Sequence, residues 1–376
     1  MINNNRIASL QVKKWLVWLI PMGLAIGIKV FTHFPKSIEI YYSIKVYPYI
    51  ACLQRVLFGW LPFSFGDVCY FFFIIYLIIY LIKLIIVIIK KQFSLLMLKR
   101  HTLRLLLTIL WVYIIFNVLW GLNYDRLGIA SQLQLKNTTY TTDELKDLLC
   151  DVIDELNDTR LSLGDSNYVY PTEKEIIDKS YNAYANVNNR LPFLKYVHPS
   201  VKPSLLTTMV SYAGYSGYYN PFSGEAQVNT DLPKFYMPFV TCHEMAHQLG
   251  YASESEASFV GYLAAIHSKD TLFRYSALFE LFLTANAELL QRDFWSGILN
   301  LRSLNPLVKR DRRIFREFIL GRQNNVEPIV KNVYDQYLKA NQQKSGINSY
   351  NELVAWVIDY RKTNLSRQSS IIAPIP

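Results

Sequence analysis

The chemistry most plainly on offer in this sequence lies in the run His243-Glu244-Met245-Ala246-His247. Histidines four residues apart on a helix project from one face, one turn apart, so two ring nitrogens can hold a single tetrahedral zinc ion. A carboxylate directly after the first histidine lies beside the ligands without pointing straight at the metal. That position suits a general base. It takes a proton from a zinc-bound water, whose pKa the ion lowers to roughly 7, and passes that proton to the leaving amine of an amide. Glu244 is therefore the expected catalytic group, and one zinc ion per chain the expected cofactor.

The element that must hold these groups is a helix over residues 237–250. Pro238 suits its first turn, where no amide partner is needed, and Gly250 suits its C-terminal end. Phe239, Val240, Met245, Ala246 and Leu249 give this helix the character of a core element. Two imidazoles and a carboxylate buried there are costly unless something binds them. A catalytic zinc needs a third protein ligand and one open position. The remaining histidines are His33, His101, His198 and His267, and no third histidine follows Gly250 at metzincin spacing. The best carboxylates are Glu254 and Glu256, in a second helix that Ser253 is suited to cap. If Ser253 and Glu256 form a capping box, Glu256 is occupied and Glu254 reaches the metal; without the box, Glu256 becomes the alternative third ligand. Small Ala257, one turn after Glu254, lets the second helix approach the first.

His243-Glu244-x-x-His247 followed by Glu254-x-x-Ala257 resembles the glutamate-zincin metallopeptidases, whose third ligand opens a Glu-x-x-Ala-[Asp/Asn] motif on a second helix. The resemblance implies a zincin-like α+β domain with Glu254 as ligand. Here Ser258 stands where those families carry Asp or Asn, which puts one contact behind the metal ligands in doubt, and the interval from His247 to Glu254 is short. The run from Gly217 through Asn229, then Cys242 through Ala257, is similar to a family of bacterial membrane proteins of the domain-of-unknown-function type. That likeness covers most of the chain and implies a peptidase-like domain without naming a substrate. In zincins an edge strand beside the metal binds the substrate backbone in extended form. Residues 205–212 read as β-like, Gly214, Gly217, Asn220-Pro221 and Ser223-Gly224 as turns, and 225–229 as a short strand. Glu225, Ala226 and Val228 are thus expected to bind substrate, with Tyr218 or Tyr219 donating to an oxyanion.

The rest of the chain must position this site. It has 376 residues, 51% hydrophobic and 15% aromatic, with the apolar excess concentrated in residues 1–122. Three spans are expected, at about 15–32, 67–89 and 104–122. The segment 47–64 is broken by Pro48, Arg55 and Pro62 and reads as an interfacial helix. The net charge of +10 is explained by basic residues beside the apolar runs, among them Lys90, Lys91, Lys99, Arg100 and Arg104, and not by nucleic-acid binding. By the positive-inside rule the N-terminus and the 90–104 loop are cytoplasmic, and residues 123–376 form an extracytoplasmic domain. Trp111 and Trp120 are compatible with interface anchoring. The four cysteines form no CxxC pair, and Cys242 reads as a buried thiol.

The fold expected is mainly α with a small β-sheet: three N-terminal transmembrane helices followed by the zincin-like domain. Amphipathic helices begin near Thr142 and Pro171, and helix returns over 270–360. The expected partners are the lipid bilayer and a protein or peptide substrate, and the expected activity is zinc-dependent peptide hydrolysis. The alternative is a non-catalytic membrane scaffold with a structural or vestigial metal site.

Overall fold

The computed structural model describes residues 2–92, 94–135, 139–165, 167–341 and 350–372. Helix α1 (Ile2–Phe31) is followed by α2 (Pro35–Ser37), a π-helical turn (Ile38–Ser43) and α3 (Tyr47–Phe58). Then come α4 (Phe65–Ile89) and α5 (Leu95–Leu119), 25 residues each and apolar enough to cross a membrane. At 1.5 Å per residue each is roughly 37 Å long, against a hydrocarbon core of about 30 Å. A third crossing is counted if Leu16–Phe31 and Pro35–Ser43, which meet at a bend of 101°, are taken as one span.

The last span is displaced from its expected place at 104–122. Ser94 caps α5 by accepting from Met97 N, so the helix starts at Leu95 and carries Lys99, Arg100 and Arg104 within it instead of in a loop. The span ends at Leu119, and a 3-10 helix (Gly121–Asp125) follows. Trp120 and Leu122 are buried there against Ile38, Tyr42 and Tyr47. Trp120 is therefore a core residue and not an interface anchor.

Packing crosses the expected boundary at residue 122. Arg126 donates to both carboxylate oxygens of Glu39 and to Gly250 O. Gln54 donates to Pro221 O and Phe222 O, and Lys202 to Phe58 O and Phe63 O. Glu225 accepts from Phe65 N and Gly66 N at the start of α4. These bonds answer main-chain groups that helix ends and loops otherwise leave orphaned. Residues 38–67 form a collar that joins the apolar helices α4 and α5 to the rest of the chain.

Beyond the collar the chain is mainly helical. After α6 (Gly128–Leu133), α7 (Thr142–Ser162) and α8 (Glu173–Asn188) each open with a capping box, Thr141 with Glu144 and Thr172 with Glu175. The expected stripe of Leu145, Leu148, Leu149, Val152, Ile153 and Leu156 is buried. Strands β1 (Val201–Pro203), β2 (Gly217–Asn220) and β3 (Glu225–Val228) form a mixed sheet in the order β1-β3-β2, with α9 (Thr207–Tyr212) between the first two. Residues 205–212, expected as a strand, are helical from Thr207, and their apolar side chains Leu205, Met209 and Tyr212 are exposed. A short apolar run does not distinguish helix from strand by periodicity. Gly217, expected in a turn, begins strand β2.

Next come α10 (Met237–Gln248), α11 (Glu254–Ile266) and α12 (Thr271–Arg292). They are followed by α13 (Phe294–Ser303), α14 (Pro306–Leu320), α15 (Glu327–Ala340) and α16 (Tyr350–Ile372). The core gathers around α10, α11 and α12, with α7, α8 and α16 packed against them.

Trp120 is the residue that tests the collar. Its ring lies 5.1 Å from those of Tyr124 and Tyr219, and its Nε1 donates to His247 O at 3.2 Å. Trp120→Ala is expected to cost about 3–5 kcal/mol, as other buried indole truncations do. Denaturant unfolding of the detergent-solubilised full chain, followed by circular dichroism, measures it. A loss below about 1 kcal/mol would place Trp120 outside the core.

Candidate metal centre

Helix α10 begins as its sequence suggests, with Pro238 in the first turn, and the chain leaves it through Gly250 at φ +86°. Its last carbonyls are held from outside: Tyr47 Oη donates to Gln248 O at 3.0 Å and Trp120 Nε1 to His247 O. A Cβ at Gly250 would lie 2.8 Å from Tyr47 Cε1, so this glycine answers both the backbone angle and the approach of the collar. Further along the helix, Tyr184 Oη donates to Cys242 O at 2.7 Å, and the Cys242 thiol is free and buried. Helix α11 also comes close at Gly261, where a Cβ would stand 2.9 Å from His243 N and Cα. Ala257 is buried, as expected.

His243, His247 and Glu254 converge, their potential ligand atoms all within 4.8 Å of one another. Glu254 Oε2 is 3.2 Å from His243 Nε2, and its Oε1 is 3.7 Å from His247 Nε2. His247 Nδ1 lies 2.8 Å from Tyr251 O. A carbonyl only accepts, so Nδ1 carries a hydrogen, which leaves Nε2, facing Glu254, as the atom that would bind a metal once its own proton is lost. His243 Nδ1 meets Ser258 Oγ at 3.2 Å. Ser258 thus provides the contact that its departure from the Asp/Asn pattern had put in doubt.

Glu256 points elsewhere. Ser253 makes no side-chain cap and shares a hydrogen bond with Ser255 Oγ instead, so the expected capping box does not form. Glu256 Oε1 accepts from Ile129 N at 2.8 Å and lies against Gly128, whose φ is +76° and whose Cβ would overlap it. The start of α6 takes this carboxylate, so it stays out of the cluster even without the box.

Glu244 is the other buried acid. Its Oε2 is buried and has no hydrogen-bond partner among the described residues. A Cβ on Gly217 would come within 2.6 Å of Glu244 Oε1, which is why a glycine opens β2 here. Burial pushes the Glu244 carboxyl up to about 8, Glu254 adding to the effect and His247 opposing it. Burial works in the same direction on Glu254, but the hydrogen bonds to His243 and His247 outweigh it and hold Glu254 well below the usual carboxylate range.

These groups line a cavity of about 520 Å³. Tyr236, Phe239 and Val240 form one wall, β2 another, and Lys331, Tyr334 and Leu338 of α15 lie across it. Tyr334 Oη donates to Glu254 Oε1. Nothing in the spacing around residue 334 points to the site, because the contact is made by a separate helix 80 residues along the chain.

The expected substrate residues are placed differently. β3 is the central strand, paired on both sides, so it has no edge to offer. Ala226 and Val228 are core residues, and Glu225 is ion-paired with Lys202 at 3.1 Å. Tyr218 donates to Asp67 and Tyr219 shares a hydrogen bond with Tyr47, so both hydroxyls face the collar and not the histidines. The strand beside the site is β2. Ser216 O accepts from Asn229 N, so by antiparallel alternation Gly217 and Tyr219 turn their main-chain groups away from β3.

Two nitrogens and one carboxylate oxygen are a donor set that suits zinc. The partnerless Glu244 oxygen and the pre-set His247 tautomer fit a cation beside them. A family model described as "Protein of unknown function (DUF3810)" matches residues 42–358, from the collar into α16. No curated protein and no solved structure matches the chain.

The ligand set can be read from metal affinity in the purified full chain. Glu254→Gln is expected to lose zinc, Glu256→Gln to keep it, and Ser258→Ala to bind it about 10–100-fold more weakly. Competition with a chromophoric chelator measures all three. Zinc loss with Glu256→Gln and retention with Glu254→Gln would reverse the assignment.

Proposed function

The chain belongs to the DUF3810 family, whose description carries no activity, and from the site alone we propose that it is a membrane-anchored, zinc-dependent peptidase with a zincin-like catalytic domain. The observation that carries this reading is the buried, partnerless Glu244 carboxylate oxygen beside two histidines that share one glutamate. A structural metal site has no use for such a group, and a hydrolytic one needs it.

His243, His247 and Glu254 would hold the ion. When bound, zinc supplies an acidified water, of pKa roughly 7, and polarises the carbonyl of the scissile amide. Glu244, buried beside the ligands, would act in its ionised form, which a bound cation favours over the protonated form that burial alone favours, taking a proton and returning it to the departing amine. The outward main-chain groups of Gly217 and Tyr219 on β2 hold a substrate segment extended along the cavity. Tyr334, already donating to Glu254, is the hydroxyl nearest the ligand set by its contacts and is the donor for negative charge developing there.

The catalytic domain is proposed to be extracytoplasmic. The site adjoins the N-terminal end of α4 and the C-terminal end of α5. Lys90, Lys91, Lys99, Arg100 and Arg104 lie toward the opposite ends. With Arg6, Lys13 and Lys14 they outnumber Lys29, Lys36, Lys45 and Arg55 toward the site. The substrate is accordingly a peptide or protein met at the outer face of the membrane.

Zinc-loaded full chain in proteoliposomes is expected to cleave members of a mixed peptide library, detected by mass spectrometry. Glu244→Gln is expected to retain zinc and lose 10²–10⁴-fold in rate, the usual worth of a general base (~10²–10⁴). Undiminished cleavage by that variant would remove Glu244 from the mechanism. Zinc-loaded wild-type chain that cleaves nothing would favour the scaffold reading. Alkaline phosphatase fused to the C-terminus is expected to be active, and an inactive fusion would put the domain in the cytoplasm.

A further inference from the structure

Helix α15 has three distinct faces. Glu327, Lys331, Tyr334 and Leu338 recur at three- and four-residue spacing and turn inward: Glu327 lies against Gly214, Tyr334 donates to Glu254, and Leu338 is fully buried. Asn332, Asp335, Gln336 and Lys339 form a polar side. The third face runs from Val326, just before the helix, through Ile329 and Val333 to Tyr337. The first three of these side chains are 60%, 64% and 64% exposed. A stripe of large aliphatic groups on a helix with charged flanks is costly to leave in water.

Two contacts show what this stripe borders. At one end the Tyr337 ring meets Phe116 of α5, centroids 6.4 Å apart, within the last turn of a membrane-crossing helix. At the other end Asn324, just before α15, donates to Tyr212 O of α9, and the chain entering α9 is held by Asp67 of α4 through Leu205 N. Both ends of α15 are thus tied to the mouths of the two spans, and Leu205, just before α9, and Met209 within it are exposed as well.

We infer that α15 lies in the surface of the bilayer, its Val326–Ile329–Val333 stripe immersed among lipid headgroups and upper acyl chains, and that it forms a lipid-seated roof over the metal cavity. The occupant of the stripe is lipid because the stripe is continuous with the apolar ends of α4 and α5. An interfacial helix of this kind buries one apolar face and keeps its charged side wet. The same helix then faces lipid on one side and Glu254 on another, so the bilayer holds Tyr334 over the ligand set. This placement rests on the membrane helices and the cavity, and does not depend on peptide hydrolysis.

The test uses full chain with Cys52, Cys69 and Cys150 replaced by Ser and buried Cys242 kept. Single cysteines at 329, 333 or, as control, 299 carry an environment-sensitive fluorophore. Leu299 is an exposed residue of α13, which packs on α7 and α12. The proteins are reconstituted into phosphatidylethanolamine–phosphatidylglycerol vesicles prepared with iodide on both sides, or with a headgroup-nitroxide lipid. Labels at 329 and 333 are expected to be quenched several-fold more by the nitroxide lipid than the label at 299, and several-fold less by iodide. Iodide quenching equal to that of the control, without nitroxide quenching, would put α15 in water and overturn the inference. Shielding from both quenchers would also overturn it, showing that protein, a second copy included, covers the stripe. Zinc content of each labelled protein, unchanged if the site is intact, separates this outcome from failure of the metal centre.

Discussion

The last turn of α10 is held by hydrogen bonds that arrive from the start of α3 and the residue after α5. A helix end leaves carbonyls without partners, and a buried one cannot use water. Tyr47, at the start of α3, donates to the carbonyl of Gln248, and Trp120, just past the end of α5, adds a second donor to that of His247, which also accepts from Gly250 N. Each such bond, if broken in the interior, costs about 1–3 kcal/mol. The residues that terminate the helix are also those that orient its histidines, because Gly250 and Tyr251 follow directly and Tyr251 O fixes the His247 tautomer. The histidine face of α10 and the apolar helices α4 and α5 are therefore tied together through the collar.

Charge is managed by the same logic. Glu39 is matched by Arg126, Glu225 by Lys202 and two main-chain amides, and Glu256 by the amide of Ile129. Each of these three buried carboxylates has a fixed partner, as burial demands. Glu254 is matched only by imidazoles and a tyrosine, and one oxygen of Glu244 by nothing. That contrast sets the cluster of His243, His247, Glu254 and Glu244 apart from the ion pairs around it.

Three glycines set how closely the parts meet. Gly217 lets β2 pass Glu244, Gly261 lets α11 pass His243, and Gly250 lets the chain turn under Tyr47. Gly250 was legible from its position after the helix. Gly217 resembled a turn signal because glycine commonly marks turns, and its real cause, a carboxylate from another element, has no local trace. Tyr334 is of the same kind: one tyrosine among 27, made distinctive only by the fold of α15 across the cavity.

Local periodicity determined much of this protein without help from its tertiary structure. Four-residue spacing put His243 and His247 on one face, the alternation of leucines placed α7, and runs of apolar residues marked α4 and α5, because these depend only on the pitch of a helix and the thickness of a bilayer. Where two local readings competed, distant contacts decided. Glu254 joins the cluster and Glu256 leaves it because α6 presents an amide to one of them. β2 and not β3 borders the cavity because β1 arrives from earlier in the chain to cover the other edge. Trp120 turns inward because Tyr47 and Tyr219 enclose it. Such choices turn on which groups meet across tens of residues, a relation that side-chain spacing along one element does not encode.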